Sequence, residues 1–501
     1  MSEAEAKPAR EAAGLRKFLW AVFALCVLVA AVLLAMPDSP EGLAEWNALV
    51  LGYGVLKFAA IVVFAIVALI ALFLVLTRDA NRLRRRARRT LAIGLGVVLC
   101  IVVFDVMAAT FPIIQVLYVS PEDVLPFGTW MCEEDEELGF KFRPNISWEY
   151  HFDPANKGDL LVWEEMLNVV PVTDEAFEDK FSTDSEGFYN KEDLEHADVV
   201  VLGDSFVGAA SVPYDVMWPR QLGANLGRPT ANLGMPFYST TQELAVLRRY
   251  GLKKKPKVVV WAYFEGNDIW ESARHREYQA SGMGWVDFQS GYAKPAHYKR
   301  PIVRLLIALA GAQRRNQRPR DEFNPVRYKV EGEEKLNAVA IVFSYTRRLA
   351  LSREELEKEK GYGPTIEAIR EAKRLCDEND IEFLLVYIPA KAHAYWPLIR
   401  DKIEIDALEF YRYLHQYAGG ETREKADEFF KSINENMNAQ RDLIKELLPE
   451  KNFLDLTGPF QEKIIAGERL YYAYDTHFSQ AGHGLCAEIV ARRIREEGLI
   501  K

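Results

Sequence analysis

Five cysteines in 501 residues build neither a disulfide framework nor a metal site. Cys26 and Cys100 lie in apolar runs, Cys132, Cys376 and Cys486 are scattered, and no CxxC pair or ligand-like spacing connects them. The chain also lacks a Walker-type phosphate loop and a GxGxxG turn, so no cofactor is expected. Nor is there a basic surplus: 62 Lys+Arg face 72 Asp+Glu, a formal charge of -10. The imbalance is uneven. Residues 1–119 carry 12 Lys+Arg and 8 Asp+Glu, a net +4, whereas the remainder carries 50 and 64, a net -14. A region that acidic lacks the footprint of a general nucleic-acid binder.

Apolar sequence, by contrast, is abundant. Three runs, 18–36, 55–76 and 91–111, each approach the ~20 residues that cross a bilayer as a helix. The first is longer than a usual signal-peptide core and no clear A-x-A site follows it. With two more runs behind it, an uncleaved, multi-pass anchor over 1–119 is expected. The segment 78–89, RDANRLRRRARR, holds seven arginines, and short loops this basic stay on the cytoplasmic side. Arg10, Arg16 and Lys17 place the N-terminus there too. Three spans then put everything after about residue 115 outside the cytoplasm, at a plasma (inner) membrane. Lys57 and Asp105 fall within the second and third runs, where an ionisable group is costly unless paired. A Lys57–Asp105 pair, a contact with a membrane-protein partner, or a snorkelling Lys57 beside a bundle-facing Asp105 all remain open.

Residues 120–196 read as short strands and turns leading into a core, with a glycosylation sequon at Asn145-Ile146-Ser147. From 197 the pattern changes. ADVVVLG (197–203), TANLG (230–234), KVVVWAYF (257–264), IEFLLVYIP (381–389) and NFLDL (452–456) read as strands. Helical stretches intervene at 215–227, 240–254 with Thr240 as cap, 365–380, 423–447 and 481–497. Apolar strands alternating with helices predict an α/β fold with a parallel sheet covered on both faces. An insertion, 270–362, interrupts it; its segment 300–315 is an apolar helix flanked by arginine, suited to a membrane surface, a lid or ordinary packing.

Ligand sites in such sheets lie beyond the carboxyl ends of the strands. Those ends carry Gly203-Asp204-Ser205, then Gly234, then Glu265-Gly266-Asn267-Asp268, and the last segment carries Asp475 and His477. A hydroxyl needs a base to become a nucleophile, histidine is the base poised near neutral pH, and a carboxylate fixes its tautomer. The backbone N–H groups of Ser205 and Gly234 and the Asn267 amide could receive an oxyanion. Each residue has an ordinary alternative: Ser205 and Asp204 as helix caps, Gly234 as a turn, Asn267-Asp268 as a loop pair, His477 as a loop support, and His483 as a loop support or a cap of the last helix. Asp204, Asp268 and Glu265 are secondary candidates, Asp204 reading as structural more than catalytic and Glu265 as a residue that touches substrate.

The ordered blocks VLGDSFVG, NLGMPFYSTTQE, FEGND and DTH resemble the SGNH (GDSL) hydrolase family over about 197–269 and 363–497. The resemblance implies a three-layer, flavodoxin-like sheet and action on esters. It implies Ser205 as nucleophile, His477 as base, Asp475 as its orienting acid, and Ser205, Gly234 and Asn267 as the oxyanion hole. The family's final block is Asp-x-x-His; here it is Asp475-Thr476-His477, a spacing similar to alginate O-acetyltransferase-like proteins, in which that motif precedes the serine block. Pro236-Phe237 replaces a Gly-containing turn. Three functions follow as expectations: an esterase on acylated extracytoplasmic glycans or lipids, an O-acetyltransferase of an exported polysaccharide, or a non-catalytic glycan-binding or assembly module.

Overall fold

The structure, a computed structural model, describes residues 3–35, 49–50, 53–110, 130–152, 170, 176–208, 211–292, 323–332, 334–399, 423–473 and 475–500. The chain divides into two compact units, Met1–Pro121 with Gln289–Arg318, and Glu122–Phe288 with Pro319–Lys501.

The first unit contains helices Glu3–Ala35, Val55–Val75 and Ala80–Thr110. Among the described residues one helical segment, Ala12–Ala35, is long and apolar enough to cross a membrane, and Ala60–Val75 is apolar but shorter. The described residues therefore support one of the three expected spans, and a segment of this kind near an N-terminus suits an anchor or a signal sequence alike. The expected Lys57–Asp105 pairing lies outside the described residues. Phe18, Leu28, Leu69 and Phe73 expose large apolar side chains. Arg16 donates to the carbonyls of Thr77 (2.9 Å) and Arg78 (2.5 Å), and Arg86 to Thr77 Oγ1 (3.1 Å), so Arg16 of the first helix and Arg86 of the arginine run meet at Thr77. That run, expected as a loop, is helical from Ala80. Asp79 initiates the helix by accepting the Arg82 N–H at 2.6 Å.

The second unit is built on five parallel strands: β1 (Val199–Leu202), β2 (Thr230–Asn232), β3 (Val258–Phe264), β4 (Glu382–Ile388) and β5 (Phe453–Asp455). Their order, β2-β1-β3-β4-β5, is the flavodoxin-like doubly wound arrangement, with its switch point between β1 and β3. Side chains alternate across this sheet. Val199, Val201, Val260, Leu384 and Val386 pack with Trp218 and Leu222 of helix α2 (Trp218–Leu226) and Ala487 and Val490 of helix α8 (Gln480–Glu496). Val200, Leu202, Trp261 and Leu385 face the other way, onto helix α3 (Thr240–Val246) and helix α5 (Tyr362–Glu378) through Val246, Ile369 and Ala372. Both faces are thereby buried, which is why each strand reads as a continuous apolar run.

The remaining labelled helices are α1 (Ser205–Gly208), α4 (Asp268–Ser281), α6 (Lys391–Ile399) and α7 (Thr457–Ile465). Ser239, one position before the expected Thr240, caps α3, and its N–H is received by Gln242 Oε1 at 3.1 Å. Thr240 instead shares a 2.8 Å hydrogen bond with Ser272.

Two antiparallel hairpins precede the sheet, Cys132–Asp135 with Gly139–Phe142 and Ser147–Phe152 with Phe177–Ser182. Phe140, Phe142 and Phe181 bury themselves in the Val200 side of the core, so the expected lead-in is part of the α/β unit's packing. The expected insertion contains α4 and a hairpin, Phe323–Tyr328 with Asn337–Val342. Its 300–315 segment lies outside the described residues.

Candidate active site

The end of β1 turns sharply into α1, and glycine makes that turn possible. At Gly203, φ is +155°, and a Cβ there would stand 2.5 Å from Val207 Cγ2 and 3.0 Å from Ala262 Cβ. Asp204 then organises the turn: Oδ1 accepts the Phe206 N–H at 2.9 Å, and its carbonyl accepts those of Val207 (3.1 Å) and Gly208 (2.9 Å). The structural role expected of Asp204 is the one its bonds describe. Ser205 stands at the first position of this turn, at the carboxyl end of the strand beside the switch point.

The next residue, Phe206, marks where Ser205 sits relative to the histidine. Its ring lies 5.3 Å from that of His477 and 4.8 Å from Phe478, and its carbonyl accepts the Trp218 indole N–H at 2.8 Å. His477 occupies a loop closed by the Tyr472 N–H on the His477 carbonyl at 3.1 Å. Asp475 Oδ1 receives both the His477 backbone N–H (2.8 Å) and ring Nδ1 (2.5 Å), which leaves Nε2 to face the other way. Nε2 is buried and has no hydrogen-bond partner among the described residues. The Ser205–His477 bond of a formed triad is therefore not closed here, as is common before substrate binds.

The charges suit a base with its orienter. Burial works against ionisation of Asp475, but the His477 ring and its two hydrogen bonds outweigh it and hold the carboxyl near pKa 2. For His477 burial favours the neutral ring, yet the Asp475 charge and hydrogen bond raise its pKa above the usual 6.5, with Asp204 adding to them. His483, in contrast, is pushed down to about 3 by burial and by His477. Its Nδ1 accepts the Trp218 N–H at 3.1 Å, so it supports the start of α2 rather than capping its own helix.

The three expected oxyanion donors come to the same sheet edge but are not all free. The Gly234 N–H is bonded to Asn232 Oδ1 at 2.9 Å. Burial raises the Asp204 pKa, and the neighbouring Asn267 amide and Ser205 N–H work against that rise. Asn267 Oδ1 and Asp204 Oδ2 are buried without partners among the described residues. Receiving an oxyanion would require these donors to exchange or share their present acceptors.

Close backbone approach fixes this edge. A Cβ on Gly208 would meet Gly234 O at 2.4 Å and C at 2.5 Å, and one on Gly234 would meet Val207 Cγ1 at 2.4 Å. Asn232 locks the contact by also donating from Nδ2 to Val207 O at 3.0 Å. Gly208→Ala is expected to destabilise the protein by about 2–4 kcal/mol, since only backbone atoms could yield. Gly484→Ala in α8, whose Cβ would find only Gln221 Oε1 at 3.8 Å, should be neutral or slightly stabilising. Thermal unfolding of both variants checks this; a Gly208→Ala curve matching the wild type would show that the approach is not required.

Glu265 and Asp268, two of the secondary candidates, are buried. Glu265 is 1 % exposed and fully engaged: Tyr387 OH (2.6 Å) and His393 Nδ1 (2.8 Å) bond Oε1, and the Ala390 N–H bonds Oε2 (2.8 Å). These bonds brace the tip of β3 to that of β4. Asp268 is completely buried and accepts the Phe264 N–H at 2.9 Å.

Asp268 belongs with Asp204 and Glu243 to a buried group of carboxyls. Burial first, then mutual repulsion, holds Glu243 and Asp268 well above the usual range, while Asp204 rises to about 6 chiefly by burial. An acid whose folded pKa is raised loses stabilisation as pH climbs from its unfolded value toward its folded one. Stability should thus fall as pH rises above about 4.5, and Glu243→Gln, which keeps an acceptor for the Trp261 indole, should flatten that fall. Melting temperatures across pH 5–9 test it; an unchanged slope contradicts it.

Sequence reasoning missed Lys391, His393 and Glu243. The first two stand in YIPAKAHAY, where polar letters inside an apolar stretch were the available signal. No protein-family model matches the chain, and no curated protein sequence matches it. Among solved structures, one assigned to the G-D-S-L family of lipolytic proteins, from Desulfitobacterium hafniense DCB-2, aligns at 14% identity and TM-score 0.27, covering 59% of this chain and 98% of that one. A likeness at that level carries no weight for this chain's activity.

Proposed function

We propose that the protein is a membrane-anchored serine esterase or acyl-transfer enzyme acting on acyl esters of extracytoplasmic glycans or lipids. One observation carries this reading: Asp475 holds the His477 ring, with Nε2 unpartnered among the described residues, packed against Phe206, the residue that follows Ser205 at the tip of β1.

In this reading the Ser205 hydroxyl attacks the ester carbonyl while its proton passes to His477 Nε2. The C=O π pair moves onto oxygen, where the donors at Ser205, Gly234 and Asn267 would receive it. Collapse breaks the bond to the leaving alkoxide, which takes the proton from His477 and departs as an alcohol. An acyl-Ser205 ester remains. Water, or a sugar hydroxyl, then attacks in the same way with His477 again as base, restoring Ser205. The three apolar runs of 1–119 and the arginine-rich 78–89 segment support a multi-pass anchor with this unit outside the cytoplasm. Labelling by a fluorophosphonate, lost in Ser205→Ala, tests the reading. Free acetate released from an acetyl donor irrespective of added oligosaccharide would favour hydrolysis over transfer.

A further inference from the structure

We propose that Lys391 is a positioning residue of this site, its ammonium holding the Asp475–His477 loop to the tip of β4 and keeping a positive charge beside that pair. The inference rests on the functional reading above and adds to it a residue from a fifth segment of the chain.

Lys391 opens α6, directly after β4, and is only 3 % exposed. A buried ammonium is costly unless its N–H groups are received. Nζ donates to the carbonyls of Ala473 (3.1 Å) and Asp475 (2.8 Å), both on the loop that carries His477. The Ala473 carbonyl also takes the Ala340 N–H at 2.7 Å.

Lys391 itself stands on a rigid base. Tyr471 OH bonds the Pro389 carbonyl at 2.7 Å, the Ala390 N–H bonds Glu265, and His393 bonds the same carboxylate. The 389–393 segment therefore joins the tip of β3, through Glu265, to the loop bearing the base. Glu265 supports the site at one remove, by fixing the residue that fixes the loop.

The charged and titratable groups around His477 are Asp475 on its own loop, Asp204 after β1, His483 on α8 and Lys391 on α6. Lys391 opposes the imidazolium and favours the Asp475 carboxylate. It thus counters part of the rise that Asp475 and Asp204 impose on the ring, keeping a larger neutral fraction near pH 7.

The test uses the full chain with Lys391→Met, Lys391→Gln and Lys391→Arg. Two quantities are followed against pH: the rate of fluorophosphonate labelling, and the His477 imidazole titration by NMR. Lys391→Met should slow labelling about tenfold or more and move the His477 midpoint upward by roughly half a pH unit. Lys391→Gln, which keeps a donor and removes the charge, should show the same upward move with a smaller loss of rate. It also decides the matter if Lys391→Met does not fold. Lys391→Arg should hold the midpoint near the wild-type value. A midpoint unmoved in both neutral variants would overturn the proposal, whatever happens to rate or stability. If Ser205→Ala labels like the wild type, the nucleophile assignment fails instead, and the Lys391 proposal is still decided by the titration.

Discussion

Replacing Ser205 with alanine should abolish covalent labelling by a fluorophosphonate and lower esterolysis of an activated acyl ester by at least about 10⁴-fold. The magnitude follows from what the oxygen does in the proposed reaction. Without it no acyl-enzyme forms, and neither His477 nor the amide-lined edge can substitute as a nucleophile. The variant should fold normally, because the turn is built from elsewhere. Gly203 supplies the backbone conformation, Asp204 receives the Phe206, Val207 and Gly208 N–H groups, and the Phe206 ring fills the space between Phe264 and Phe478. A melting temperature within a few degrees of wild type is therefore expected, consistent with substitutions that remove no packing or buried hydrogen bond. Labelling that persists in a folded Ser205→Ala protein would remove the serine mechanism and return the chain to the binding-module reading.

That outcome can be forecast at one atom because the strand tips were legible. Continuous runs such as VVVL at 199–202 and VVVWAYF at 258–264 have no place except between two helical layers, and the observed faces alternate along both. A hydroxyl, a glycine and a carboxamide just past such runs are expected at one edge, whereas His477, which follows α7 and a loop, is not placed there by that rule. What the sequence hid was the use of each polar atom. Nothing in NLG announces that Asn232 would take the Gly234 N–H, nor in FEGND that Glu265 would turn inward to Tyr387 and His393. Lys391 stood out only as a polar letter in an apolar stretch; its carbonyl partners lie more than eighty residues away in sequence, and no local pattern encodes such a reach. The antiparallel hairpins of 132–182 were visible as strands, but their aromatic residues give no sign of which face they cover. Residues 1–119 show the reverse case. Composition reads three spans there, and the described helices support one by length and apolarity.

Asp475→Asn should reduce the labelling rate by about 10³–10⁴-fold near neutral pH, nearly as far as loss of the serine, while leaving the hydroxyl in place. The cause is the tautomer. Asp475 Oδ1 accepts from Nδ1, so the neutral ring carries its proton there and offers a lone pair at Nε2. An asparagine can turn its NH₂ toward Nδ1, which puts the proton on Nε2, where it cannot accept from Ser205. The pH dependence separates this from simple loss of structure. In the wild type, labelling should rise with pH through a midpoint above 6.5, because His477 must lose its proton to act and its pKa is raised. Without the Asp475 charge, burial becomes the dominant influence and the midpoint should fall by roughly one pH unit or more. Stability carries its own signature. Asp475, held near pKa 2 instead of 3.8, contributes above about pH 4, and that contribution is lost as pH falls through 2. His477 contributes below 6.5, and its share is lost as pH rises through its elevated value. These are two views of one pair, so its stabilisation, on the order of 2 kcal/mol, is counted once and is greatest between about pH 4 and 6.5. Asp475→Asn should accordingly melt furthest below the wild type in that window and approach it at pH 9. Full activity in the variant with an unmoved midpoint would show that His477 does not act as the base, and that its pairing with Asp475 serves only the loop.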